Sequence, residues 1–373
     1  MNNIKKKKER KIVFYISSLA KGGAQRVILN LTESLLFQGH KVTIVTTAVV
    51  KNEYELPKGA SRVVSDIQED EITSNRIGNF KKRFVKLRGI WEAENPDVII
   101  SFIGKNNFMA ILTAKGLKIP VVTSVRGEPT EEYYSKMTRF LAKTLMGEST
   151  GIVLQTPDAR EFFPKWMHKK TIILDNPLNP DFIEEYYEGE RENIIVSVGR
   201  IDSNKNQKLI IDAFIKVADV FPDTKLILYG DGEDRKKLIE YVEHNNYQDR
   251  IYLPGAVSNV KEQIKKAKLF MLSSNTEGMP NALMEALALG IPCISTDCPC
   301  GGPKMLMEGK ENGILVPVGD CDKMAEAIRI ILQDGILWKK YSQNAYKIIE
   351  RLHPTSVNQK WEDYLNSIID TAK

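Results

Sequence analysis

Four charged side chains and six glycines carry the chemistry that this sequence offers. Glu277 and Glu285 stand eight positions apart in the stretch 273–290, SSNTEGMPNALMEALALG. The stretch reads as the end of an apolar strand (268–272), a turn through Gly278, and a helix opening near Pro280, which suits a first helical position because its missing N–H costs nothing there. Met279, Asn281, Ala282 and Leu283 complete that helix start, whose free backbone N–H groups and positive dipole end suit an anion. Carboxylates do not bind phosphate, so Glu277 and Glu285 would hold hydroxyls on either side of it. A phosphate between two hydroxyl-bearing groups describes a nucleotide sugar. The plainer alternative is a loop charge and the wet side of a half-buried helix, and spacing alone does not choose between them. Arg200 and Lys205 flank another turn between a strand and a helix, an arrangement suited to a diphosphate, since Arg can grip two oxygens and Lys supplies a compact charge. Ordinary surface cations are the alternative there.

These side chains must be positioned by a repeated strand–loop–helix pattern. In the first half, short apolar runs at 12–17, 41–46, 98–102, 121–124, 152–156 and 171–174 read as buried strands. Helices are expected at 24–38, 81–94, 108–115 and 158–163, and residues 51–78 read as loop with short structure. Gly22 and Gly23 follow the first strand, where backbone can approach a ligand closely at a helix N-terminus. In the second half, strands are expected at 194–199, 225–230, 251–255, 269–273, 293–296 and 312–317, with helices at 207–220, 322–332, 338–351 and from 355 onward. Gly199 precedes Arg200, and Gly230 and Gly232 end the 225–230 strand. The prolines at 177 and 180 mark an extended connection. Three segments follow: 1–178, 179–353, and a final helix, 354–373, crossing back to the first. Because ligands in open parallel sheets lie beyond the carboxyl ends of strands, Arg126 and Glu128 are candidates to face an acceptor.

The run E-G-M-P-N-A-L-M-E (277–285), followed by A-x-A-x-G-x-P-x-I-x-T-D (286–297), resembles the E-x7-E motif of retaining glycosyltransferases of family 4. Gly22-Gly-Ala-Gln-Arg-Val27 is similar to the G-G-A-[EQ]-R-V segment of that family, Gly199-Arg200…Lys205 to its G-R-x4-K, and residues 312–317 to its N-G-x-L-V-P turn. The resemblance covers nearly the whole chain. It implies an α/β fold of the GT-B kind, with two Rossmann-like domains facing a cleft. It further implies that Arg200 and Lys205 hold a donor diphosphate, that Gly22–Gly23 face the donor phosphates, that Gly230–Gly232 lie by the nucleoside, and that Glu277 addresses the donor sugar and Glu285 the ribose. The expected reaction moves a sugar, with retention, from a UDP-linked donor (a hexosamine or galactose) to a polyprenyl-linked saccharide acceptor, without a metal or other cofactor. Many members carry a His near the 124–128 strand end; here the residues are Ser-Val-Arg-Gly-Glu, a departure from the family pattern at the place where that His would assist acceptor activation.

At 373 residues the chain holds about two domains of ~100–200 residues each. No run approaches the roughly 18–20 apolar residues that span a bilayer, and residues 12–16 are too short for a signal-peptide core, so the expected place is the cytoplasm, at the inner face of the membrane. The four cysteines fall at 293, 298, 300 and 321 without metal or redox spacing, and read as reduced structural thiols. The net charge of +5 is concentrated before residue 150, in Lys5–Lys8, Arg10–Lys11 and Lys81–Arg83 with Lys86 and Arg88. Such runs are ordinarily solvated; the alternative is an anionic lipid surface. Nucleic acid is not expected, since no aromatic platform interleaves them. A dinucleotide-dependent dehydrogenase would need G-x-G-x-x-G after the first strand and an acid after the second, where Thr46–Thr47 stand. A non-catalytic nucleotide-sugar-binding protein and a non-hydrolysing UDP-sugar epimerase remain as rivals. The four histidines lie away from the expected strand ends.

Overall fold

A computed structural model describes residues 8–372. The chain divides into two compact units: residues through Pro177 together with those from Thr355, and Leu178–Pro354. Each is built on a fully parallel sheet, whose inner strands are buried on both faces and therefore read as continuous apolar runs.

The first sheet contains β1 (Lys11–Ile16), β2 (Lys41–Thr46), β3 (Ser61–Val64), β4 (Val98–Phe102), β5 (Val121–Ser124), β6 (Gly151–Leu154) and β7 (Thr171–Ile173), in the order β3-β2-β1-β4-β5-β6-β7. The direction of winding reverses between β1 and β4, so the loops after these two strands meet at the topological switch point, where doubly wound sheets bind ligands. On one face Phe14 and Phe102 pack with Trp361 of the C-terminal helix Pro354–Ala372. Val357, Trp361, Leu365 and Ile369 recur every four residues along that helix and are buried. Its docking is completed by His40, whose Nδ1 accepts the Arg10 N–H (3.2 Å) and whose Nε2 donates to Glu362 (3.3 Å). On the other face Tyr15 meets Trp91 of helix Arg76–Glu94, and Trp91 donates to Thr113 Oγ1 of helix Lys105–Ala114 at 2.8 Å.

The second sheet contains β8 (Glu192–Val198), β9 (Lys225–Tyr229), β10 (Ile251–Gly255), β11 (Ala267–Leu272), β12 (Cys293–Thr296) and β13 (Gly313–Val316), ordered β10-β9-β8-β11-β12-β13. Its switch point falls between β8 and β11. The loops that leave those strands are 199–206, which carries Arg200 and Lys205, and 273–280, which carries Glu277; Glu285 follows on helix Asn281–Ala288.

The structure revises several expected elements. The stretch 51–78 contains the edge strand β3, the basic helix starts at Arg76 rather than 81, and a helix not anticipated occupies Lys136–Thr144. Asn75 accepts the Gly78 N–H at 3.0 Å and so sets the earlier start. The helix expected over 207–220 ends at Ile215, and the one expected over 338–351 is two, Gly335–Tyr346 and Ile348–Leu352.

Candidate active site

The 199–206 and 273–280 loops are stitched together by one asparagine. Asn204 Oδ1 accepts from both Thr276 N (3.2 Å) and Thr276 Oγ1 (3.0 Å), while its Nδ2 donates to Thr276 O (3.2 Å). The backbone joins in, Asn275 N donating to Asn204 O at 2.7 Å, and Ser273 Oγ donating to Lys205 O at 2.7 Å. This stitching brings Lys205 Nζ onto Glu277 Oε1, which also accepts from Ser274 Oγ at 2.5 Å. Asp202 completes the group, accepting Lys205 N–H at 2.9 Å and pairing with Arg200 at 3.2 Å. The Arg200 side chain is 77 % exposed, whereas those of Lys205 and Glu277 are 21 % and 11 % exposed. A shielded ion pair beside an exposed guanidinium thus lies at the switch point, with a thiol nearby: burial and the Glu277 carboxylate push Cys298 up to about 12 and keep it protonated.

Helix Asn281–Ala288 begins one residue later than expected; Pro280 is its N-cap rather than its first helical residue, and no side chain caps it. Its first-turn N–H groups are therefore not engaged by a capping side chain. Leu283 through Ala288 are all buried, and Glu285 is only 4 % exposed. The wet-face alternative for Glu285 is excluded: this helix has no wet side at that position.

Gly230 and Gly232 have an explanation inside the protein. The 199–201 backbone continues the β8–β9 pairing, with Gly199 N donating to Tyr229 O (3.0 Å) and Ile201 N to Asp231 O (2.9 Å). A Cβ at Gly230 would lie 1.8 Å from Gly199 O, and one at Gly232 2.2 Å from Ile201 O. These glycines let the Arg200 loop lie flat on its neighbour, which positions it whether or not a ligand touches them.

In the first unit, helix Gly23–Phe37 opens at Gly23, with Gly22 as its N-cap and no capping side chain. The loop before it is pinned by a residue that the sequence did not single out. Glu53 accepts from Leu19 N (3.1 Å) and Val50 N (3.2 Å) and pairs with Arg62 (2.6 Å). The Arg62 hydrogen bonds hold its carboxyl down at about 2. Across the switch point, Ile103 and Gly104 both adopt positive φ (69° and 53°) after β4. There Glu132 accepts from Gly104 N (2.6 Å) and Arg126 N (3.1 Å), tying the β4 and β5 loop ends together, and burial raises it to about 6. Arg126 lies over the Phe102 ring (5.2 Å) and donates to Asn176; burial lowers it to about 9, which leaves it protonated at neutral pH. The Glu128 carboxylate accepts Thr130 N–H (3.2 Å) and caps a short helix, while Glu132 is the carboxylate that joins the strand ends. Glu53 and Glu132 each reach backbone distant in sequence, at Leu19 and Gly104, and nothing in their local pattern marks them.

The basic run is also partly committed. Arg83 pairs with Asp66 (2.6 Å), Lys82 donates to Glu71 O (2.7 Å), and Arg88 to Thr113 O (3.1 Å) and Lys115 O (2.8 Å). Lys5–Lys7 of the N-terminal run lie outside the described residues.

Residues 21–182 match the family described as Glycosyltransferase Family 4, and residues 179–348 match Glycosyl transferases group 1. The chain belongs to these two-domain glycosyltransferases. HepE of Anabaena, in its complex with UDP-glucose, superposes with a TM-score of 0.82 at 18% identity, covering 96% of this chain and 100% of its own; that likeness establishes the GT-B fold. Among curated relatives, a Campylobacter jejuni alpha-1,4-N-acetyl-D-galactosaminyltransferase, named for its GalNAc-GalNAc-diNAcBac-PP-undecaprenol substrate, is 26% identical over 94% of this chain and 97% of its own. An N-acetyl-alpha-D-glucosaminyl L-malate synthase of Bacillus anthracis is 23% identical over 94% and 96% respectively. Among the described residues no helix is long and apolar enough to cross a membrane.

Proposed function

We propose that this glycosyltransferase moves a sugar, with retention at the anomeric carbon, from a UDP-linked hexosamine or galactose to a lipid-linked saccharide in cell-surface glycan assembly. The observation that carries the reading is the stitched pair of loops at the second switch point, which holds Lys205 and Glu277 together ahead of an uncapped helix N-terminus. In the reaction the bond from the anomeric carbon to the β-phosphate oxygen breaks and a bond to the acceptor oxygen forms. The acceptor proton passes to the departing phosphate oxygen on the same face. Positive charge grows on the sugar while negative charge grows on the diphosphate. Lys205, Arg200 and the N–H groups of Asn281–Leu283 would face the latter, fixed before the reaction starts, so no reorganisation is needed as charge develops. Glu277 would hold donor-sugar hydroxyls and Glu285 the ribose hydroxyls.

A lipid-linked acceptor is supported by the Campylobacter relative's substrate; the malate relative shows that a close fold also serves a small acceptor, so acceptor choice must lie in residues that differ. Arg126, with Glu132 setting the loops beside it, is the acceptor-facing candidate of the first unit. A thermal-shift panel of UDP, GDP and ADP tests the donor reading. UDP at 100 times its dissociation constant should add about 2.7 kcal/mol of stability, and the absence of any nucleotide-induced shift would overturn it.

A further inference from the structure

Helix Lys136–Thr144 is a nine-residue element that buries almost none of itself: of its residues only Ala142 is buried. It is nevertheless firmly built. Ser135 and Thr138 form a reciprocal capping box, and Arg139 donates to Tyr133 O at 3.1 Å. Tyr134, Met137 and Phe140, three positions apart, are 69 %, 66 % and 63 % exposed. Single exposed apolar residues are ordinary, but Met137 and Phe140, one turn apart, form a short apolar ridge on the helix, with Tyr134 just ahead of its Ser135 N-cap. Just beyond the helix, the Trp166 ring lies over Gly147, where an added Cβ would meet it at 2.1 Å, and it too is half exposed.

We propose that this ridge, with Trp166, seats the protein on an anionic bilayer, its apolar side chains entering the interfacial layer. Lys136, Arg139 and Lys143 are interleaved with the apolar residues, and no acid occurs between Glu132 and Glu148. An apolar ridge edged with cations, with an aromatic ring at its end, matches the apolar–polar boundary of a membrane with anionic headgroups. A second copy of this chain would set the same cations against one another. The inference deepens the lipid-linked-acceptor reading and can fail without it.

Co-sedimentation tests it, using phosphatidylethanolamine vesicles that contain phosphatidylglycerol, with phosphatidylcholine vesicles beside them. Wild-type protein should prefer the phosphatidylglycerol vesicles. The double variant Met137→Asp/Phe140→Asp should bind them at least about tenfold more weakly, because large apolar side chains contribute the insertion. Its UDP-induced thermal shift should match wild type, which separates loss of the surface from loss of the donor site. Vesicles should also blue-shift the fluorescence of wild-type protein, and Trp166→Phe should remove that change. Undiminished binding by the double variant would overturn the proposal. So would a wild-type dimer that the double variant dissociates, with neither protein binding vesicles; that result would assign the ridge to a second copy.

Discussion

Replacing Lys205 with Met removes one charge while keeping most of the side chain's length, and the structure separates its two consequences. In the free protein Glu277 loses its cation but keeps Ser274 Oγ at 2.5 Å. Breaking a fully buried pair costs about 3–5 kcal/mol, and an exposed pair is worth about 0–1 kcal/mol. With side-chain exposures of 21 % and 11 %, the pair falls between these limits, and a stability loss of about 1–2 kcal/mol is expected. The second consequence appears only with ligand. A hydrogen bond to a charged group contributes about 1.5–3 kcal/mol, so the UDP dissociation constant should rise about 10- to 150-fold. Calorimetric titration with UDP and with uridine distinguishes the two, since uridine has no diphosphate. The account requires UDP to weaken and uridine to hold. Equal weakening of both would mean that Lys205 only organises the loops, and unchanged UDP binding would refute its assignment.

Glu277→Gln should leave UDP binding within about threefold, under 1 kcal/mol, yet lower turnover at least about a hundredfold, about 2.7 kcal/mol of barrier; normal turnover in a transfer assay would remove Glu277 from the donor sugar. Gly230→Ala should destabilise by more than about 3 kcal/mol, because φ is +142° and the new Cβ would collide with Gly199 O; chemical denaturation showing a change below 1 kcal/mol, on the order of a surface substitution, would contradict the close-approach argument. Glu53 has a folded-state pKa of about 2 against an ordinary value of 4.5, so its ionised form favours the folded state. The stability gap between wild type and Glu53→Gln should be full above pH 4.5, about 1–3 kcal/mol, and should vanish as pH falls through 2. A gap that is constant with pH would show that the Arg62 pair does not set that loop's stability.

Much of the fold was legible because parallel strands announce themselves as apolar runs: 98–102, 121–124, 251–255 and 293–296 match β4, β5, β10 and β12 to the residue. The edge strand β3 was not, since its sequence, SRVV, is half exposed and offers no such run. Helix Lys136–Thr144 escaped because its apolar side chains face solvent rather than a core, so its amphipathic pattern had no buried partner to explain it. At the site, the charged residues could be picked out by their resemblance to the family's motifs, but what joins them could not. Asn204 looks like one more polar loop residue until Thr276, 72 positions away, is brought against it. Glu285 illustrates the converse: a lone acid on a helix ordinarily marks the wet side, and only the packing around it on every side shows otherwise. Glu128 and Glu132 could not be told apart by sequence, because which of them caps a helix depends on a turn at Thr130.

The central claim is that the stitched loops of the second unit hold the diphosphate of a nucleotide sugar, and a crystal structure of the full chain grown with UDP addresses it most directly. The account predicts a phosphate oxygen within hydrogen-bond distance of Lys205 Nζ, a second phosphate contact from Arg200 or the N–H groups at Asn281–Leu283, and ribose hydroxyls on Glu285. Nucleotide bound elsewhere, or no nucleotide at saturating UDP, would contradict it.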